Sequence, residues 1–79
     1  MLALITFERV KEIIIQTLGC EEEDVTPEAN LFDDLGADSI DVIEIGILIE
    51  EEFGVEIPNE EAERLQTINS VIQYIKNHQ

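Results

Sequence analysis

One serine in this chain stands where chemistry could be done to it. Ser39 follows Leu35-Gly36-Ala37-Asp38 and opens a largely apolar run that reaches Phe53. The glycine ends an irregular stretch. Asp38 is the residue type that accepts hydrogen bonds from the unpaired N–H groups of a first helical turn, and its charge suits the positive end of the dipole. Ser39 is thereby set at a helix start, near the surface and beside a loop, where a group could hang from it. By residue type alone it could equally be a serine that only helps to cap the helix.

The spacing does not make Ser39 an activated nucleophile. That requires a base within reach, and the single histidine, His78, is near the C-terminal end, where it reads as a solvated tail residue. The 4 Lys+Arg are dispersed and no glycine-rich phosphate loop is present. With 19 Asp+Glu, no carboxylate pair stands out. Raising the pKa of one would need an apolar pocket for which so short a chain has little room. An EF-hand register beginning at Asp34 puts Ser39 where glycine is needed and Ile45 where the bidentate glutamate is needed, so it fails. No specific metal site is expected, only loose divalent screening of the acids. A catalytic role is set aside in favour of a carrier or interaction module.

Composition points the same way. The formal net charge of −15 disfavours nucleic acid and anionic membrane surfaces and favours salt-sensitive encounter with basic proteins. Read alone, such a charge can also be a solubilising coat. The one cysteine, Cys20, excludes an internal disulfide and reads as a small half-buried apolar residue. The apolar start Met1–Ile5 is too short for a signal sequence, and no run reaches transmembrane length. The expectation is a single domain, residues 1–79 with a core of about 6–76, in a cytoplasmic monomer.

Around the serine, periodicity predicts an all-α fold. The expected architecture is a small four-helix bundle, three main helices plus one short one, with a long loop between the first and second. Phe7, Val10, Ile14 and Leu18 recur at helical steps, which predicts a first helix over 6–18, capped by Thr6 and ended by Gly19. Residues 20–37 lack a sustained period; Thr26-Pro27 suits one short turn, and Leu31, Phe32 and Leu35 are expected to peg the loop onto the bundle. A loop this long in so small a domain is often functional. The second helix is placed at 39–53 and ended by Gly54. A short third helix, capped by Asn59, is placed at 60–65, and a last one runs from a Thr67 cap to about Lys76, with the final three residues frayed.

The second helix has an unusual wheel. At about 100° per residue, Val42, Ile45, Gly46, Ile49 and Phe53 share one sector, an ordinary core face. Ile40, Ile43 and Ile47 form a second stripe nearly opposite, with Glu44 and Glu51 beside it. That pattern fits the centre and polar rim of an interface, or an apolar strip buried under the loop and third helix.

Leu35-Gly36-Ala37-Asp38-Ser39-Ile40-Asp41 resembles the phosphopantetheine attachment motif of bacterial acyl carrier proteins. The resemblance runs from about Phe7 to the end and takes in Val10–Ile14, Glu50–Phe53, Glu56-Ile57-Pro58 and Glu60–Glu63. It implies that Ser39 accepts a 4′-phosphopantetheine arm from coenzyme A, delivered by a holo-acyl-carrier-protein synthase that uses Mg²⁺, with Asp38 as motif residue and cap. It implies a non-catalytic carrier that shuttles acyl thioesters among malonyl transferase, ketosynthase, reductase, dehydratase and acyltransferase enzymes of fatty acid synthesis. Their basic patches would meet Ile40, Asp41, Ile43, Glu44, Ile47 and Glu51. A carrier of polyketide, aminoacyl or D-alanyl groups is the alternative, and an unmodified acidic docking module a further one. The chain departs from the commonest pattern at Ile40, usually Leu, at Ile47, where Met is frequent, and at Gly46, which leaves the natural cargo open.

Overall fold

Thr67, Asp38 and two left-handed glycines each set a helix boundary in this chain. The computed structural model describes residues 2–78. Four α-helices follow in order: α1 Leu2–Leu18, α2 Ser39–Phe53, α3 Asn59–Arg64 and α4 Ile68–His78. A single 3₁₀ turn, Glu22–Asp24, lies in the long loop between α1 and α2. Gly19 and Gly54 both adopt φ +70°, and their N–H groups donate back to Ile15 O and Glu50 O at 2.8 and 2.9 Å. Each thereby closes its helix in a conformation that a Cβ disfavours. Thr67 and Ser70 cap α4 reciprocally, each backbone N–H donating 3.1 Å to the other's hydroxyl oxygen.

α1 packs on α2 and α4, and α2 packs on α3. The core is aliphatic: Val10, Ile14, Leu31, Ile45, Ile49, Ile68 and Ile75 are the largest fully buried side chains. Leu31 pegs the loop as expected, with Phe32 and Leu35 half-buried behind it. Across the bundle, Arg9 on α1 grips Glu52 near the end of α2 through Nε and Nη2 at 2.9 and 2.7 Å.

Three boundary expectations are corrected. Thr6 is no cap: α1 begins at Leu2, because Leu and Ala are good helix formers and extend the helix, leaving Thr6 buried inside it. Asn59 does not cap α3; Pro58 holds that position with no side-chain bond, and the helix runs 59–64. α4 continues past Lys76 to His78, whose ring stacks on Tyr74 with centroids 4.0 Å apart and whose Nδ1 lies 2.9 Å from Tyr74 O. Of the three residues expected to fray, Asn77 and His78 are therefore helical, and Gln79 lies outside the described residues. Within the loop, the acidic 3₁₀ turn is exposed and is anchored by Lys11 Nζ at 3.2 Å from Glu22.

Candidate functional site: the start of the second helix

The loop reaches Ser39 through consecutive hydrogen-bonded turns. Thr26–Ala29 closes a turn around Pro27, with Ala29 N donating 3.0 Å to Thr26 O. Asn30 then organises the next one. Its Oδ1 accepts from the N–H groups of Phe32 and Asp33, both at 2.9 Å, while its own N–H donates 2.7 Å to Asp34 Oδ2. This segment is stitched to the entry of α4: Leu31 N donates to Gln66 O, Ile68 N to Ala29 O and Asn69 N to Pro27 O, at 2.7, 3.1 and 2.9 Å. Gly36 turns the chain at φ +74°, and buried Ala37 donates 2.8 Å to Leu31 O.

Asp38 then stands in extended conformation at the N-cap of α2. Its Oδ1 accepts from Asp41 N at 2.9 Å, and Asp41 Oδ2 accepts from Asp38 N at 3.2 Å. The cap is a closed box of two carboxylates and two backbone donors. Ser39 is the first residue of the helix and is exposed. The expected cap is thus present, and Asp41 is its second half. An acid three residues after the cap is the sequence signal that would have found this.

Both faces of α2 are present. Val42, Ile45, Gly46 and Ile49 are buried. Ile40 is 76% exposed and Ile47 47%, the two large hydrophobic residues most open to solvent among the described residues, whereas Ile43 is half-buried. Glu44 and Glu51 are exposed beside them, and Asp41 is half-buried in the box. An open groove of about 460 Å³ separates the end of α1 from the start of α2, between Gln16 and Thr17 on one side and Ile40, Asp41, Glu44 and Leu48 on the other. Beneath α2, a small apolar cavity of about 10 Å³ lies against Gly46, Ala62, Ile49 and Leu65. That is room for about one water molecule, in a lining that offers it almost no partner.

Sequence reasoning missed Thr17, whose Oγ1 is buried without a hydrogen-bond partner; nothing in the spacing of residues signals this. It also missed Glu50, which accepts the Ile57 N–H at 2.6 Å and so fixes the link to α3. Cys20 is half-buried, as expected. Burial pushes its thiol pKa up, and the carboxylates of Asp24 and Glu21 add to the shift. Among the described residues no cluster of His, Cys, Asp and Glu is arranged to hold a metal, and no helix is long and apolar enough to cross a membrane.

What the arrangement can do is present a primary hydroxyl on a rigid helix start with open space around it. Phosphopantetheine fits such a position, because a phosphodiester on Ser39 would meet solvent rather than a wall, and Asp38, not the serine hydroxyl, supplies the cap.

Comparison with known proteins gives the family. Residues 8–75 match the phosphopantetheine attachment site family. The fold is similar to the solved structure of an acyl carrier protein from Enterococcus faecalis, with TM-score 0.81, 36% sequence identity and 98% of each chain covered. The chain therefore belongs to the phosphopantetheine-bearing carrier family, among the bacterial acyl carrier proteins.

Proposed function

We propose that Ser39 carries the 4′-phosphopantetheine arm and that the chain shuttles acyl thioesters among the cytoplasmic enzymes of fatty acid synthesis. The observation that carries this reading is the exposed Ser39 at the first position of α2, behind a completed Asp38–Asp41 box and inside the segment that matches the attachment family. The arm, once attached, supplies the thiol on which acyl groups are held. The chain itself need only present the serine, offer a docking surface and shelter the cargo. Asp38 holds the serine in place. Ile40 and Ile47 are apolar contacts ringed by Glu44 and Glu51, a surface suited to the basic patches of a synthase and of transferase, condensing and reducing enzymes. Ile43, half-buried, supports that surface from below. The aliphatic walls around the cavity between α2 and α3 suit an acyl chain if α3 moves outward, since 10 Å³ admits none of it as it stands.

Incubation of the apo-protein with coenzyme A, Mg²⁺ and a holo-acyl-carrier-protein synthase should add one phosphopantetheinyl group by intact mass. Ser39→Ala should add none. Loading by a malonyl transferase, set against an adenylating enzyme, separates the fatty acid role from an aminoacyl or D-alanyl one. Partner binding undiminished by Ser39→Ala, with no mass gain on the wild type, would favour an unmodified docking module.

A further inference from the structure

Asp41 lies on the second helix among the acids expected to meet basic partners, yet its carboxylate is already engaged. Oδ2 accepts the backbone N–H of Asp38 at 3.2 Å, and Asp38 Oδ1 accepts the backbone N–H of Asp41 at 2.9 Å. Ser39 and Ile40 are the residues enclosed between these two bonds. From the other side, Ala37 N is tied to Leu31 O at 2.8 Å, and Leu31 N to Gln66 O at 2.7 Å. The backbone entering Ser39 is thus fixed to the α3–α4 link, and the backbone leaving it is fixed by the box. Ala37 and Val42, on either side, are buried, whereas Ser39 and Ile40 are exposed. Ser39 is exposed at the first helical position, so the backbone around it sets its place, and the Val42 N–H adds a 3.0 Å bond to Asp38 O.

We infer that Asp41 is a positioning residue for the modification of Ser39, acting through the Asp38 backbone rather than chiefly through contact with the transferase. This rests on the reading of Ser39 as the attachment residue. In the reaction, the Ser39 Oγ–P bond forms and the pyrophosphate P–O bond of coenzyme A breaks. Adenosine 3′,5′-bisphosphate leaves, and the hydroxyl proton passes to a base of the transferase. The oxygen must lie in line with the bond that breaks, so a loosened helix start lowers the turnover of bound protein, whereas a lost surface charge weakens encounter. The two effects separate into kcat and KM.

The test uses full-length Asp41→Ala, Asp41→Asn and Asp41→Glu with a phosphopantetheinyl transferase, Mg²⁺ and coenzyme A, read by initial rate and intact mass. Far-UV circular dichroism checks that each is folded. Asn keeps an oxygen acceptor without charge; Glu is the usual partner in such a box. Asp41→Ala should lower kcat about tenfold, while Asp41→Asn and Asp41→Glu stay within about threefold of wild type. For Asp41→Asn, KM should rise at low salt and converge on wild type at high salt. Amide exchange at Asp38 should quicken in the Ala variant and not in the other two. The inference is overturned if Asn is as slow in kcat as Ala, if the Ala defect lies wholly in KM, or if Asp38 exchange is unchanged by Ala. A wild type that gains no mass overturns the attachment reading and the inference together. A wild type modified at Ser39 with any of the other three results overturns the inference alone.

Discussion

Small changes at single residues should reveal which parts of the molecule are tuned for stability and which are not. Gly46 is a helix-interior glycine with negative φ, so its conformation does not require glycine. A Cβ there would meet Ala62 Cβ at 3.6 Å, ordinary contact. Gly46→Ala should stabilise the protein by about 1 kcal/mol, from helix propensity. Because that methyl would intrude on the cavity under α2, it should also shift the carried acyl chain toward shorter lengths, read by mass of the loaded protein. Thr17 offers a second case. Its buried, unpartnered Oγ1 carries a desolvation penalty, so isosteric Thr17→Val should raise stability by about 1 kcal/mol, or about 4–8 °C in Tm. Cys20, with its thiolate disfavoured by burial and by neighbouring acids, should alkylate more slowly at neutral pH than a cysteine in a short peptide. An alkylation rate equal to that of the peptide would contradict the assignment.

Among the elements, α2 carries most of the proposed function, and its outer stripe should be separable from its inner face. Ile40→Ser and Ile47→Ser remove exposed apolar surface, so Tm should stay within about 0.5 kcal/mol equivalent of wild type while affinity for partner enzymes falls. A matching drop in Tm would mean the stripe is structural. This helix was legible in the sequence because local chemistry marks it at both ends, Asp38 at one and Gly54 at the other, and because two apolar periodicities are superposed on it. α1 was legible in its interior but not at its start, since Thr6 is a good cap by residue type and nothing local says that Leu2–Ile5 will be helical too. The links were least legible. Asn30 bonding to Asp34 could be guessed from spacing, but the stitching of Leu31 to Gln66 joins residues far apart in sequence, and Arg9 reaching Glu52 depends on how α1 crosses α2. At the site, the capping role of Asp38 was readable, and the acid three residues later was the signal for the Asp41 half of the box; that both bonds form, leaving Asp41 only partly available to partners, is what the geometry adds.

At the scale of the whole molecule, charge governs both stability and encounter. A net charge of −15 on a chain 28 × 27 × 18 Å across repels itself, so added salt or millimolar Mg²⁺ should raise Tm, while the same salt weakens partner binding. Acid should remove one specific contribution. The hydrogen bond and ion pair with Arg9 hold the Glu52 pKa below the usual glutamate value, so its contribution is present above the unfolded pKa and lost as pH falls through the folded one. In Glu52→Gln, that low-pH loss should be smaller, as read by Tm across the titration. The central claim, that this bundle exists to present Ser39 for loading, is tested most directly by intact mass after incubation with coenzyme A, Mg²⁺ and a holo-acyl-carrier-protein synthase. The account predicts one phosphopantetheinyl group on the wild type and none on Ser39→Ala. An unmodified wild type, or a Ser39→Ala variant that still gains the group, would contradict it.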